Sequence, residues 1–330
     1  MHVHHLPAAL VEAYARRAEV PCLVEHEGEQ LVDMGGGIAY PLFPDLLDPA
    51  RRLVSMDANG IDVSVSSAPP PGVDGLGVAD ANAVARAGND ELAELGDRVC
   101  PIAVLPLEAP AAAAEELDRA VGLGLRGGLL FSNVCGARPD ETRFRPVFEA
   151  AAALRVPLVL HPATPVGVDA AIGYALPTTL GFLVETTVCA LRLVLDGIFE
   201  RHPELQLVVP HVGSVIPFML GRIDYEAALL PGAAGALEVP PSEHLRRLHV
   251  DSICSWPPAL RLALEVFGPE RVLFGSDEPY WSADDAVSTV ETAVPDADTA
   301  AAVWHRNADR LFGLADAYDS SPRSATKEAG

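Results

Sequence analysis

Short apolar runs rich in β-branched residues recur along the chain and alternate with longer stretches dominated by Ala, Leu and Glu. Eight of these runs are predicted strands, and they begin at His2, Ile61, Val99, Leu125, Val156, Leu205, His249 and Arg271. Near-continuous apolar runs are typical of strands buried on both faces, as in a parallel sheet. The pattern therefore predicts a parallel sheet that other elements cover on both sides.

The stretches between the runs have the composition and boundary residues of helices. Predicted helices cover residues 49–59, 80–95, 110–121, 141–154 and 176–199. Pro110 suits the first position of a helix, and Pro157 marks the exit towards the next strand. Strands that alternate with helices form βαβ units, and eight units fit a closed (β/α)8 TIM barrel. An open doubly wound sheet is the alternative, but no GxGxxG motif follows a strand to support it.

One insertion interrupts the alternation, at residues 8–49 between the first strand and the first barrel helix. Within it, the segment from Val20 to Gly35 predicts a hairpin that turns at Glu27-Gly28. We expect this insertion to cap one end of the barrel or to contact a second subunit. Residues 1–314 are thus predicted to form a single domain, and the small, polar residues 315–330 a disordered tail.

Charge and hydropathy restrict the partners. The chain of 330 residues has 46 acidic and 23 basic residues, a formal net charge of −23. Such a field repels phosphate backbones and anionic membranes, which argues against nucleic-acid and lipid partners. No uninterrupted apolar run reaches the ~18 residues of a membrane span, and no basic and then apolar N-terminal segment indicates a secretory signal. We expect a cytoplasmic protein that acts on a small molecule.

Cysteine and lysine usage restricts the chemistry. The five cysteines lie far apart without a CxxC pair, so neither a zinc knuckle nor a disulfide framework is expected. The only lysine is Lys327, in the predicted tail. A pyridoxal phosphate Schiff base or a carboxylated lysine bridging two metals would have no other residue to use. With no nucleotide motif either, the expected cofactor is a single divalent metal ion.

Histidine and aspartate residues lie at the ends of four predicted strands. His2 and His4 are two residues apart and so share one face of the first strand; His161, His211 and Asp277 end the fifth, sixth and eighth. Barrel enzymes have their chemistry at the C-terminal ends of the strands. Three imidazoles, from His2, His4 and His161, and the Asp277 carboxylate suit zinc and also tolerate manganese or iron. Each motif alone is often accidental or structural, but their joint position at matching strand ends indicates a metal site.

The order of these motifs along residues 1–314 extends the pattern to the whole barrel. They are HxHxxP at 2–7, MDANGID at 56–62, HP at 161–162, HVG at 211–213, FGSDxP at 274–279 and NAxRLFG at 307–313. With these motifs the sequence resembles the amidohydrolase-related family. The resemblance is to its branch with 2-amino-3-carboxymuconate-6-semialdehyde decarboxylase and γ-resorcylate decarboxylase.

The resemblance implies a metal bound by the three strand-end histidines and Asp277, with a water completing its ligands. It makes His211 an acid/base that contacts this water or the substrate; a metal lowers the pKa of bound water from 15.7 towards ~7, and histidine relays protons near neutral pH. It also implies a homodimer in which Arg222 reaches across the interface to a substrate carboxylate. The alternative for Arg222 is a surface ion pair with Asp224 or Glu226 on its own helix.

Three positions depart from the family pattern. Only Met1 precedes His2, so either the first strand is very short or the natural start lies upstream. The stretch from Tyr40 to Phe43 has no arginine where the family decarboxylase has one, which puts a substrate with two charged anchors in doubt. Glu278 follows Asp277 where the branch usually has an aromatic or aliphatic residue. Its side chain either enters the pocket or faces away between strands, and we favour the second.

These features lead to a functional hypothesis. The leading one is non-oxidative decarboxylation of a small unsaturated or aromatic carboxylic acid, with the proton supplied by Asp277, His211 or the metal-bound water. A hydrolase of amides or lactones, or a hydratase, would use the same ligands and is the alternative. A barrel kept as a binding scaffold would be favoured by loss of a ligand, and every ligand is present.

Tyr280 and Trp256 follow strand ends and are expected to contact the substrate, although aromatic residues there are as often simple packing.

Overall fold

The computed structural model describes residues 2–168 and 172–314, so the predicted tail at 315–330 lies outside the described residues. Each of the eight predicted runs contains one strand, and three further strands lie in the insertion. The strands are β1 (Val3–His4), β2 (Cys22–His26), β3 (Glu29–Gly35), β4 (Ile38–Pro41), β5 (Ser64–Ser67), β6 (Val99–Pro101), β7 (Gly128–Phe131), β8 (Leu158–His161), β9 (Leu207–Val209), β10 (His249–Asp251) and β11 (Val272–Leu273).

The eight barrel strands are parallel and close on themselves. They pair as β1-β5-β6 and as β11-β10-β9-β8-β7. Two backbone junctions join these groups: Ala103 N donates to Gly127 O between β6 and β7 (2.8 Å), and Asp277 N donates to His2 O between β11 and β1 (2.8 Å). The predicted (β/α)8 barrel is confirmed, and its second junction brings Asp277 beside His2.

Helices follow the barrel strands and cover them from outside. They are Ala8–Ala15, Pro44–Leu47, Pro49–Ala58, Val78–Leu92, Pro110–Gly122, Arg145–Leu154, Phe182–Leu195, Ile198–Arg201, Ile216–Leu229, Pro241–Leu245, Pro257–Phe267, Ala283–Ala293, Ala297–Ala301 and Asn307–Phe312. Pro49 and Pro110 begin their helices, where a missing N–H leaves no hydrogen bond unmade. Strand residues such as Leu130, Leu160 and Val250 are fully buried, which stabilises the fold by about 1.5–3 kcal/mol for each such side chain.

The prediction of one continuous helix over residues 176–199 is wrong. A π-helical turn at Pro177–Gly181 precedes the helix Phe182–Leu195. Gly197 then adopts a left-handed conformation (φ 77°) and begins the separate helix Ile198–Arg201. The apolar periodicity continues through this break, so only the glycine marks it in the sequence.

By length and composition alone, one helical segment among the described residues, Pro177–Leu195, would be long and apolar enough to cross a membrane (19 residues, mean hydropathy 1.5). Two polar side chains tie it to the barrel loops. Glu185 Oε1 accepts a hydrogen bond from Asn133 Nδ2 (2.8 Å), and Arg192 Nη2 lies 2.6 Å from Asp140 Oδ2. We therefore interpret it as a barrel helix, and its exposed apolar side chains need another explanation.

The insertion forms an antiparallel sheet of β2, β3 and β4, here called the cap sheet. The hairpin predicted at Glu27-Gly28 is present, and both turn residues have positive φ (51° and 84°). The third strand, β4, was not predicted. The cap sheet lies against the loops that follow two barrel strands. Thr164 Oγ1, after β8, donates to Met34 O (3.4 Å), and the Tyr40 ring lies 5.5 Å from that of Tyr280, after β11.

Candidate metal centre

Four residues predicted as metal ligands meet at the C-terminal face of the barrel. His2 (φ 48°) directly precedes β1 and His4 ends it, His161 ends β8, and Asp277 follows β11. One ligand atom from each lies within 4.8 Å of those of the other three, and all four residues are buried. We call these four residues the metal cluster. Its members come together because parallel strands in a closed barrel end at one face.

Two of the cluster imidazoles are oriented by backbone carbonyl groups. His4 Nδ1 lies 3.3 Å from Ser67 O, and His161 Nδ1 lies 2.8 Å from Pro162 O. A carbonyl oxygen only accepts hydrogen bonds, so Nδ1 carries the proton in both rings. The Nε2 lone pair of each ring therefore remains free to bind a metal.

The third imidazole is oriented by a carboxylate that the sequence analysis missed. His2 Nδ1 lies 2.6 Å from Asp251 Oδ2, and the Asp251 side chain is fully buried. Asp251 ends β10, so it too is an acidic residue at the C-terminal end of a barrel strand. That position was the available signal.

Electrostatics keep Asp277 ionised. Its Oδ1 lies 2.9 Å from His4 Nε2 and 3.7 Å from His2 Nε2, and its Oδ2 lies 3.7 Å from His211 Nε2. Burial alone would raise the pKa of Asp277, but the neighbouring imidazoles, of which His211 contributes most, outweigh it and hold this pKa well below its usual range. At neutral pH the cluster therefore contains a carboxylate anion.

The imidazole pKa values differ with their surroundings. Burial, together with the neighbouring His4 and His2, holds the pKa of His161 well below its usual value, and burial also lowers that of His4. For His2, burial lowers the pKa, but the hydrogen bond and charge of Asp251 outweigh it and raise the pKa overall. His4 and His161 are thus neutral imidazoles able to coordinate a cation.

The donor set fits one divalent cation. The His4 Nε2 lone pair faces an ionised oxygen of Asp277 at 2.9 Å, and this contact is unfavourable unless a proton or cation lies between them. His2 Nε2 is buried and has no hydrogen-bond partner among the described residues. Buried polar atoms without partners are rare and call for an explanation such as a bound ion. Three imidazole nitrogens and one carboxylate suit a borderline divalent ion such as zinc or manganese.

His211 lies beside the cluster, on a strained turn after β9. His211 (φ 57°, ψ 58°) and Val212 (φ 52°, ψ 28°) are both left-handed, which costs about 1–2 kcal/mol for each residue. The backbone N–H of His211 donates to Asp251 Oδ1 (2.7 Å). The turn places the His211 ring 5.9 Å from the ring of His2. The Nδ1 atom of His211 is buried and makes no hydrogen bond within the described part of the chain.

Aromatic side chains form one wall of the site. The Tyr280 ring lies 5.4 Å from the ring of His4 and 6.1 Å from that of Phe43. The hydroxyl groups of Tyr280 and Tyr40 are buried and have no partner in residues 2–168 and 172–314. Burial raises the pKa of both phenols well above 10, so both remain neutral donors. Tyr280 therefore borders the metal cluster, and Tyr40 adds a second phenol from the cap sheet.

Two predicted substrate contacts lie on the surface of this chain. Trp256 precedes the helix Pro257–Phe267 and is 66% exposed. The Arg222 side chain is 72% exposed, and its Nη2 lies 3.4 Å from Glu226 Oε1. The structure does not bring either side chain into the metal cluster, and the Arg222 contact matches the surface ion pair kept as an alternative.

Glu278 faces away from the cluster, as favoured from the sequence. Its Oε1 accepts a hydrogen bond from Ser55 Oγ (2.6 Å), and its Oε2 lies 3.6 Å from Arg52 Nη1. Arg52 Nη2 also donates to the carbonyl oxygen of His4 (2.5 Å). Glu278 and Arg52 thus join the first barrel helix to His4, the last residue of β1.

Comparison with known proteins gives matches along most of the chain. The amidohydrolase family matches residues 1–314. The γ-resorcylate decarboxylase of Rhodococcus jostii is 36% identical over 294 residues, which cover 80% of this chain and 87% of the relative. The crystal structure of 5-carboxyvanillate decarboxylase from Sphingomonas paucimobilis has a TM-score of 0.83 and 30% identity, covering 94% of this chain and 97% of that one. A dihydroxybenzoic acid decarboxylase from Polaromonas, with bound manganese and the inhibitor 2-nitroresorcinol, has a TM-score of 0.79 and 27% identity, covering 95% and 96%.

Proposed function

We propose that this chain, which belongs to the amidohydrolase family, is a metal-dependent decarboxylase of an aromatic carboxylic acid. One observation carries the proposal: His2, His4, His161 and Asp277 converge within 4.8 Å at the catalytic face of the barrel. The three relatives described above are decarboxylases and match along most of their length. They favour this activity over the hydrolase and hydratase alternatives.

The metal would be held by the four residues of the cluster. When bound, a divalent ion supplies Lewis-acid chemistry towards the oxygens of the substrate. Zinc is the ion that we expect from the donor set, and manganese accepts the same donors. The manganese in the Polaromonas relative supports testing both ions.

His211 is the residue that we assign as proton donor. Decarboxylation breaks the bond between the ring carbon and the carboxylate; carbon dioxide leaves and the ring carbon takes a proton. Asp277 is ionised because its pKa lies well below the usual range, so it has no proton to give. The His211 imidazole lies beside it, with Nε2 3.7 Å from Asp277 Oδ2, and a positioned histidine is an effective general acid.

A homodimer is also proposed, as an extension of this function. Leu180, Val184 and Val188 are about half exposed and lie four residues apart, on one face of the helical segment after β8. Phe218 is 84% exposed on the helix after the neighbouring strand β9, which also carries Arg222. Large apolar side chains exposed on the helices after two neighbouring strands are typical of a protein interface. A second copy covering it would place Arg222 at the interface.

Release of carbon dioxide tests the proposed activity. Protein loaded with zinc or manganese would be incubated with a panel of hydroxylated benzoic acids, and both carbon dioxide and the ring product would be measured. We expect release in a ratio of one carbon dioxide for each product molecule, abolished in His161→Ala. Hydrolysis of amides or lactones by folded, metal-loaded protein, without carbon dioxide from any acid, would overturn the proposal.

A further inference from the structure

We infer that Asp251 is a positioning residue that couples the metal ligand His2 to the turn that holds the proton donor His211. The inference rests on the proposed function for the roles of these two histidines. Its basis is that the two oxygens of one buried carboxylate serve two different partners. Oδ2 lies 2.6 Å from His2 Nδ1, and Oδ1 accepts the N–H of His211 at 2.7 Å.

The contact with His2 differs in kind from those of the other ligands. His4 and His161 have backbone carbonyl oxygens at Nδ1, at 3.3 and 2.8 Å. His2 has a carboxylate at 2.6 Å, within the range of charge-assisted hydrogen bonds. A carboxylate partner fixes the ring orientation and makes the opposite nitrogen a better donor to a metal. His2 Nε2, the atom without a partner among the described residues, is that nitrogen.

The other oxygen stabilises the backbone beyond β9. Besides the His211 N–H, Asp251 Oδ1 accepts the N–H groups of Ile253 (3.1 Å) and Val212 (3.4 Å). His211 and Val212 are left-handed non-glycine residues, and such a conformation persists only when its surroundings hold it. Asp251 is therefore part of what keeps the His211 ring facing the cluster.

Only a carboxylate can accept hydrogen bonds from both the His2 ring and the turn at His211. An amide at this position has one oxygen and one NH2 group. If its oxygen faced the turn, the NH2 group would face His2 Nδ1, which would then have to accept. The imidazole proton would move to Nε2, and the lone pair aimed at the metal would be lost. If the amide were reversed, its NH2 group would face the N–H groups of His211 and Ile253.

The central variant is Asp251→Asn, with Glu116→Gln as a matched control. Glu116 is also a buried carboxylate, but it belongs to the helix Pro110–Gly122 and pairs with Arg119 (2.7 Å). Zinc and manganese affinity would be measured by competition with a chelator, with circular dichroism of the metal-free proteins as a check of folding. We expect about 10–100-fold weaker binding for Asp251→Asn and less than about threefold for Glu116→Gln.

A double-mutant cycle separates positioning from general stabilisation. In a His2→Ala background, Asp251→Asn should weaken metal binding little further, because its effect acts through His2. Parent-like metal affinity in Asp251→Asn would overturn the inference, as would an equal loss with and without His2. A parent that binds metal but releases no carbon dioxide would instead refute the decarboxylase and leave the metal-affinity result to decide on Asp251.

A second measurement decides the matter if Asp251→Asn does not fold. Nitrogen-15 spectra of the histidine rings in the zinc-loaded parent should contain one strongly hydrogen-bonded Nδ1–H that disappears in His2→Ala. A His2 ring with its proton on Nε2 would overturn the inference without any Asp251 variant.

Discussion

Asp277 and His211 lie side by side next to the proposed metal, and their positions give them different roles. Asp277 is held ionised by the imidazoles around it, which suits a metal ligand and leaves it without a proton to donate. His211 lies 3.7 Å away, on the other side of that carboxylate from His4. The assignment can be tested because only His211 lies outside the ligand set.

Replacing His211 by Asn should separate catalysis from metal binding. The variant keeps the four cluster ligands, so metal content should remain at the parental level, while kcat should fall by about 10²–10⁴-fold with the general acid removed. Elemental analysis and steady-state kinetics on the same preparation check both. A metal-loaded His211→Asn protein with parental kcat would move the proton-donor role to another group.

The individual site residues differed in how far sequence alone could place them. The four cluster ligands were predicted because their residue types and their places at strand ends are both visible in the sequence. Asp251 was missed although it ends β10; the sequence places it at the same face of the barrel but does not show that its carboxylate contacts His2, 249 positions away. Arg222 was left with two interpretations, because the sequence of its helix does not show whether a second subunit lies next to it.

At the scale of elements, the apolar runs predicted every barrel strand, whereas the irregular segments between the elements were not predicted. The strands are only two to four residues long, so each run extends well beyond the paired residues into loops that carry the site. The turn at Pro210–Gly213 was predicted as the end of a strand, because left-handed non-glycine residues have no sequence signal. The glycine at position 213 is the one residue of the turn whose type reflects the structure, since a Cβ there would lie 2.7 Å from the ring of Phe267.

The cap sheet is the element for which we predict a role in binding. Its strand β4 carries Tyr40, whose buried hydroxyl has no partner in the described residues and lies next to Tyr280. Because an unpaired buried hydroxyl costs about 1–3 kcal/mol, a polar group of the substrate is the natural partner. Tyr40→Phe should therefore raise KM for a hydroxylated acid by about 5–30-fold, with kcat changed much less.

Tyr225→Phe is the matched control for the cap sheet, because Tyr225 is an exposed phenol on the helix after β9. It should leave KM unchanged. Equal KM values for the parent and Tyr40→Phe, across acids with and without ring hydroxyl groups, would show that the cap sheet does not contribute a substrate contact.

For the whole molecule, the closed barrel and the exposed apolar face pose different questions. Closure followed from the eight alternating strands and helices, and the two backbone junctions complete it. The homodimer came only from the family resemblance, because apolar positions on a barrel helix predict burial without saying which surface buries them. Val184 and Val188 remain 44% and 47% exposed in the single chain.

A double variant tests the dimer. Val184→Glu with Val188→Glu would place two charges in the apolar face, and burying unpaired charges in an interface is strongly unfavourable. We expect sedimentation equilibrium to give the mass of one chain for this variant and of two for the parent. Val54→Glu, at a valine that is 69% exposed on the helix Pro49–Ala58, is the control and should remain dimeric. A monomeric parent would refute the dimer.

Metal content is the most direct test of the central claim that four strand-end residues hold a catalytic ion. Untagged protein, expressed with zinc or manganese in the medium, would be analysed for metal beside His2→Ala and Asp277→Ala, each checked for folding by circular dichroism. The site predicts about one ion for each parent chain, as in mononuclear barrel enzymes, and loss of most of it in both variants. A parent without metal, or folded variants that keep the full amount, would contradict the assignment of His2 and Asp277 as ligands and the mechanism built on them.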